Sequence, residues 1–151
     1  VVKLVGSNNH LCEFLFREED QEPVFLTPFA ETYAKAYFEM LFFYNSRVPY
    51  EKKLTREQIP YILKKLNPEL AEKESNLAVD YRACAGTNCP MANDCSYING
   101  LREAQDARLI IGNHALMLNW PKSIPRPQFV VVDEAHRLEH EATKAYSIEV
   151  A

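Results

Sequence analysis

The spacing of four cysteines constrains this chain more than any other feature. Cys12 stands alone, with 71 residues between it and Cys84, and Cys89 and Cys95 follow with four and five residues between neighbours. The last three lie in residues 81–95, a stretch rich in Ala, Gly, Thr, Asn and Pro with little periodicity. Such a stretch reads as a loop that can wrap three thiols around a point, with Cys12 closing the set from afar. In a 151-residue chain without a secretory leader pattern, an even cysteine count points to a metal site or ordinary buried thiols ahead of disulfides. Four thiolates serve iron–sulfur clusters and structural zinc alike. Zinc sites usually pair cysteines two to four residues apart, whereas the gaps here are four and five. Tying Cys12 to Cys84 would close a long loop, on an entropy scale of ~4 kcal/mol, and a small helical segment with a modest core gains from such a clip.

Around that loop the chain reads as helical in its middle and strand-like at its ends. Residues 1–5 form a short apolar strand ending at Gly6, and a turn follows over residues 6–9. Residues 17–23 are acidic and polar, a surface connection. Thr27-Pro28 suits a helix start. The pattern over 29–44 is helical, with Tyr33, Tyr37, Phe38, Leu41 and Phe42 at three- and four-residue steps forming a core face. Thr55 and Gln58 have capping-box spacing and open a second helix holding Ile59, Ile62, Leu63 and Leu66, with Pro60 near its start. Asn67-Pro68 ends it and caps a third, from Glu69 to Lys73 or beyond. A short helix over 96–105 follows the cysteine loop. Residues 108–111 and 129–132 are unbroken apolar runs, suited to strands buried on both faces of a parallel sheet. After Asp133 the chain reads helical again, through Arg137, Leu138, His140 and Ala142. No apolar run reaches the ~18 residues a bilayer requires. The start lacks both an initiator methionine and a signal layout, which reads as an excised intracellular segment.

The second run empties into Asp133-Glu134-Ala135-His136. At the carboxyl end of a parallel strand, side chains reach the crevice where ligands bind. One acid can hold Mg²⁺ through water while its neighbour orients or deprotonates an attacking water. A bare Asp-Glu pair would equally suit a helix N-terminus; four apolar residues before it and Ala-His after it favour the strand end. The net charge of −4 argues against nucleic acid only if it is spread evenly, because a groove needs local positive charge alone. Lys52, Lys53, Arg56, Lys64 and Lys65 form the one basic cluster, and Arg82, Arg102 and Arg108 lie near the cysteine loop. Tyr81 and Tyr97 could stack on bases. Each of these also suits a solvated face or a core aromatic. No Gly-Lys-Thr or Gly-Lys-Ser occurs in the 151 residues, so they contain no Walker A loop.

Four landmarks then fall in order: Gly6-Ser7-Asn8-Asn9-His10-Leu11-Cys12, the Cys84/Cys89/Cys95 triplet, Asn113-His114-Ala115-Leu116, and Asp133 to His136. Together they resemble the DinG-type branch of the XPD-like iron–sulfur superfamily 2 DEAH-box DNA helicases, over essentially the whole chain. Ser7 stands where that family usually has Arg, and His10 where it has Tyr; with four thiolates present, His10 reads as a packing or surface residue and not a metal ligand. The resemblance implies an α/β fragment of a RecA-like motor domain with a mainly α-helical iron–sulfur cluster insertion. Residues 1–11 would be the edge of motor domain 1, 12–105 the cluster domain, and 106–151 the motor segment with the Walker B/DEAH box.

It further implies a [4Fe–4S] cluster on Cys12, Cys84, Cys89 and Cys95, placed where a parent enzyme using ATP and Mg²⁺ separates DNA strands in the 5′ to 3′ direction. Asp133 would coordinate Mg²⁺, Glu134 would activate the attacking water, and His136 would couple nucleotide state to DNA. The partners would be single-stranded and forked DNA, met by a monomer without a membrane. The location would be the bacterial cytoplasm at the nucleoid, or intracellular in any case. Without a Walker A loop the 151 residues alone should not hydrolyse ATP. Two further classes stay open: a non-catalytic, cluster-based DNA-binding or redox-sensing module, and a structural zinc domain.

Overall fold

Pro28 opens the longest helix, at a position where a missing N–H costs nothing. The computed structural model describes residues 1–19 and 28–147, and the expected cap at Thr27 lies outside them. Two units emerge, Ser7–Gly100 and the pair of segments Val1–Gly6 and Leu101–Ala151.

In the Ser7–Gly100 unit, helix α1 (Glu13–Glu19) precedes helix α2 (Pro28–Asn45). The aromatic stripe of α2 buries Phe38, Leu41 and Phe42, with Tyr37 at the margin and Tyr33 exposed. Phe16 of α1 is fully buried among them, its ring 6.0 Å from Phe38 and 5.3 Å from Phe42. Burial of one such side chain stabilises by roughly 1.5–3 kcal/mol. Residues 17–19 are therefore helical and not the expected connection. Arg17 pairs with Glu13 one turn back at 3.0 Å and also reaches Glu39, so local ion pairs support the helix.

Pro60 decides the next segment. Gln58 Oε1 accepts the Thr55 backbone N–H at 2.6 Å, as a capping box requires. The expected single helix nevertheless does not form. A 3₁₀ turn over Arg56–Gln58 ends at Ile59, which is extended (φ −68°, ψ 118°) as a residue before proline must be. Helix α3 (Tyr61–Leu66) starts only afterwards. Ile59 is buried, but Ile62 and Leu66 are exposed. Asn67 then caps helix α4 (Pro68–Asn76), its side chain accepting the Leu70 N–H at 3.1 Å. Glu74 of α4 is buried and holds Arg56 Nε at 2.6 Å and Lys64 Nζ at 3.1 Å.

The other unit holds β1 (Val2–Lys3) and β2 (Ile110–Ile111), paired in parallel with Val2 opposite Ile110. Helix α5 (Ser96–Gln105) has the expected bounds, and the division between units falls within it, at Gly100. The sequence placed the boundaries at 11/12 and 105/106 instead. Leu4, Ala104, Leu116 and Ile124 form this unit's core. Helix α6 (His114–Leu118) is capped by Asn113, whose side chain accepts the Leu116 N–H at 2.9 Å. Helix α7 (Leu138–Tyr146) follows a 3₁₀ turn at Ala135–Arg137, and the Tyr146 hydroxyl donates to the Leu118 carbonyl at 3.0 Å.

The expectation of two strands buried on both faces is corrected here. Residues 129–132 pair with nothing in a sheet among the described residues, and Phe129 and Val131 are 89% and 97% exposed. Ile111 of β2 is also exposed. A strand is buried on both faces only when neighbours and covering helices flank it, and a two-residue ladder supplies neither. No helix among the described residues is long and apolar enough to cross a membrane.

Candidate functional site

Cys12 reaches the cysteine loop through backbone pairing. Leu11 bridges Ala78 in antiparallel fashion, the Cys12 N–H donates to the Leu77 carbonyl at 2.7 Å, and the Val79 N–H donates to the His10 carbonyl at 3.0 Å. This short ladder delivers Cys12 beside the start of the loop. Asp80 opens that loop by accepting the Cys84 N–H on its carbonyl and the Arg82 N–H on its side chain. Gly86 turns the chain with φ +61°, a left-handed value that favours glycine. Its N–H donates to the Cys84 sulfur at 3.4 Å. Cys89 closes the 3₁₀ turn Gly86–Asn88, and the Cys95 N–H donates to the Met91 carbonyl at 3.0 Å.

Cys12 and Cys95 are both helix caps. Cys12 immediately precedes α1, and its carbonyl accepts the Phe16 N–H at 3.2 Å. Cys95 immediately precedes α5, and its carbonyl accepts the Asn99 N–H at 3.0 Å; the backbone N–H groups of Leu15 and Phe14 face the first thiol and those of Ile98 and Tyr97 the second. Burial pushes both thiols up, while these N–H groups favour the thiolate. Cys12 senses the charge of Cys89 and Cys84, and Cys95 that of Cys12 and Cys84, so all four sulfurs form one electrostatic group. All four are half-buried and none is in a disulfide. Among the described residues, no group of three or more His, Cys, Asp or Glu side chains is arranged to hold a metal ion.

Two buried side chains brace this loop. His10 is fully buried, its Nδ1 lies 2.9 Å from Ser96 Oγ, and its ring packs 5.7 Å from that of Tyr97. Lys53 is 7% exposed and donates to the carbonyls of Asn45 and, at 3.1 Å, Asp94. The sequence left His10 between packing and surface, and burial settles it as packing; Lys53 was missed, since its type does not indicate burial.

The candidate DNA contacts separate accordingly. Lys53 is removed from them, because its ammonium is folded inward. Arg56 and Lys64 are tied to Glu74, and Arg56 also donates to the Asn8 carbonyl at 2.7 Å. Tyr97 is half-buried against His10. Lys52, Lys65, Arg82, Arg102 and Arg108 are exposed. The Arg82 guanidinium lies 5.6 Å from the centre of the exposed Tyr81 ring, and its Nε donates to the Tyr81 hydroxyl at 3.2 Å.

In the other unit, Asp133, Glu134 and His136 are all exposed. The Asp133 carboxylate accepts the Glu134 N–H at 2.8 Å, and the Asp133 carbonyl lies 3.0 Å from His114 Nε2. Glu134 has φ 48° and ψ 45°, a left-handed conformation that costs a residue with a Cβ. Both acids line a cavity of about 910 Å³, together with Leu109, Ile111, Leu116, Trp120, Phe129 and Val131.

Comparison with known proteins bears on this pairing of a cysteine loop with a DEAH segment. No protein-family model and no solved structure matches the chain. The ATP-dependent DNA helicase YoaA of Escherichia coli K12 is 31% identical over 71 residues, 42% of this chain and 11% of the relative. The ATP-dependent DNA helicases DinG of Salmonella typhimurium and Escherichia coli K12 are each 32% identical over 74 residues, 46% of this chain and 10% of each relative. Part of this chain is helicase-related. It spans about a tenth of the length of these curated relatives.

Proposed function

We propose that this helicase-related segment is the cluster-holding and DEAH-box portion of an ATP-dependent DNA helicase. In this reading Cys12, Cys84, Cys89 and Cys95 hold a [4Fe–4S] cluster. The observation that carries it is the delivery of Cys12 to the loop by the Leu11–Ala78 ladder, with the Gly86 N–H donated to the Cys84 sulfur. Thiolates that accept N–H bonds are the ligands such a cluster needs, and these bonds also tune its potential. When bound, the cluster would clip the loop to the Cys12 segment, so that binding energy becomes folding energy.

The DEAH segment supports the second half of the reading. Asp133 and Glu134 are adjacent, exposed and among the residues that line a mostly apolar cavity. Asp133 would hold Mg²⁺ through water, Glu134 would orient the water attacking the γ-phosphate, and His136 would couple nucleotide state to DNA. The rest of a RecA-like parallel sheet would cover the exposed faces of Ile111, Phe129 and Val131. Lys52, Lys65 and Arg82 are the cations left open for the phosphates of single-stranded or forked DNA unwound 5′ to 3′.

Two substitutions in the longer helicase test this reading, because the cysteines and the acids lie in different units. Cys89→Ser should lose iron and strand separation and keep basal ATP hydrolysis. Glu134→Gln should keep iron and DNA binding and lose hydrolysis with unwinding. Normal unwinding by iron-free Cys89→Ser would contradict the role given to the cluster.

A further inference from the structure

Lys53 carries a positive charge in an unusual place. Its side chain crosses from the chain after α2 to the residue before Cys95, and both its acceptors, the carbonyls of Asn45 and Asp94, are uncharged. Among the described residues, no carboxylate is in ion-pair contact with it. Burying an ammonium without a contacting anion is costly unless a nearby negative charge repays it. The second anchor fixes what that charge can be. Asp94 O belongs to the peptide that leads directly into Cys95, the cap of α5 and one corner of the four-sulfur group. Burial pushes the Lys53 ammonium down, and the Asp94 carboxylate, the Cys95 thiolate and the Glu13 carboxylate oppose it. The first anchor is equally fixed. Asn45 is buried and clasps Leu54 twice, its Nδ2 donating to the Leu54 carbonyl at 3.0 Å and its Oδ1 accepting the Leu54 N–H at 2.8 Å. The ammonium is thus held in place from both ends.

We infer that Lys53 is a positioning and electrostatic residue of the cysteine site: its buried charge, seated on the Asp94 carbonyl, stabilises the more negative states of an iron–sulfur group bound at Cys95. This rests on the reading of the four cysteines as cluster ligands. Potentials of such clusters follow net charge and surrounding dipoles, and an added electron makes the group more negative by one unit. In the step considered, dithionite supplies one electron and the cluster takes it, with no bond or proton changing place. A fixed cation beside the cluster therefore raises its reduction potential.

The test uses the full 151-residue chain, loaded with iron and sulfide without oxygen, as wild type, Lys53→Gln, Lys53→Met and Lys53→Arg. Iron and sulfide are assayed first, and the reduction potential is then read by an EPR-monitored dithionite titration. The two neutral variants should show a reduced-to-oxidised ratio about tenfold lower at the wild-type midpoint, equivalent to ~59 mV for a one-electron couple. Lys53→Arg should stay near wild type. Neutral variants that lose iron while Lys53→Arg keeps it also support the charge role. Wild-type potentials in the neutral variants overturn it. Loss of iron from all three variants overturns it too, since Lys53 is then a packing residue alone. Wild type that takes up no iron sinks the cluster reading instead, before Lys53 is tested.

Discussion

His10 Nδ1 and Ser96 Oγ meet at 2.9 Å across 86 residues of chain, joining the segment that carries Cys12 to the helix that Cys95 caps. The bond lies wholly inside the protein, where a lost partner costs more than at the surface. Ser96→Ala should destabilise the Ser7–Gly100 unit by about 1–2 kcal/mol. His10→Ala should cost more, about 3 kcal/mol, because the ring's packing against Tyr97 goes with it. Urea unfolding of the cluster-free chain checks both values. Equal effects from the two variants would show that the hydrogen bond dominates and the ring contact adds nothing.

Glu74 makes the same unit sensitive to acid. Burial alone would raise its carboxyl, but hydrogen bonds and charge from Arg56 and Lys64 outweigh burial and hold it below the usual range. A depressed folded value means that the stabilisation is complete above the unfolded value of ~4.3 and is lost as pH falls through the lower folded value. Glu74→Gln should therefore cost about 2–3 kcal/mol at neutral pH, and the difference from wild type should shrink as the medium is acidified below pH ~4. Stability measured against pH for both proteins reads this directly. A gap that stays constant into acid would contradict the ion-pair account.

Two left-handed residues predict opposite signs. Gly86 turns the chain out of the Cys84 segment at φ +61°, and nothing crowds the space a Cβ would fill. Gly86→Ala should thus cost about 1–2 kcal/mol through backbone strain alone and weaken metal retention. Glu134 already bears that strain at φ 48°. Glu134→Gly should stabilise the DEAH unit by up to ~1 kcal/mol, and Glu134→Gln should not, as melting curves of the two variants would show.

What the sequence disclosed, and what it hid, follows from the range of the forces involved. Helix α5 and the capping of α4 by Asn67 were legible because caps and periodicity act within a few residues. The core face of α2 was legible for the same reason, down to Phe38 and Phe42. Pro60 was seen, but its effect on Ile59 was underweighted, so two short elements were read as one helix. Residues 129–132 carry a strand's composition, yet a strand is made by its neighbours, and the described residues provide none for them. The cysteine spacing pointed to a site. It could not show that a helix starts directly after Cys12, although Cys95 stands directly before the helical pattern at 96–105. Nor could a basic cluster at 52–65 reveal which ammonium turns inward, because Lys53 is distinguished only by long-range contact with Asp94.

The central claim is that the four cysteines form one iron–sulfur site, and metal analysis of the chain tests it most directly. Protein purified without oxygen should be brown, absorb broadly near ~400 nm, and contain about four irons and four acid-labile sulfides per chain. Cys12→Ser should lower that content although 71 residues separate Cys12 from the triplet, because the ladder at Leu11 and Ala78 brings it to the loop. One zinc per chain with no sulfide, in a preparation never exposed to air, would contradict the account.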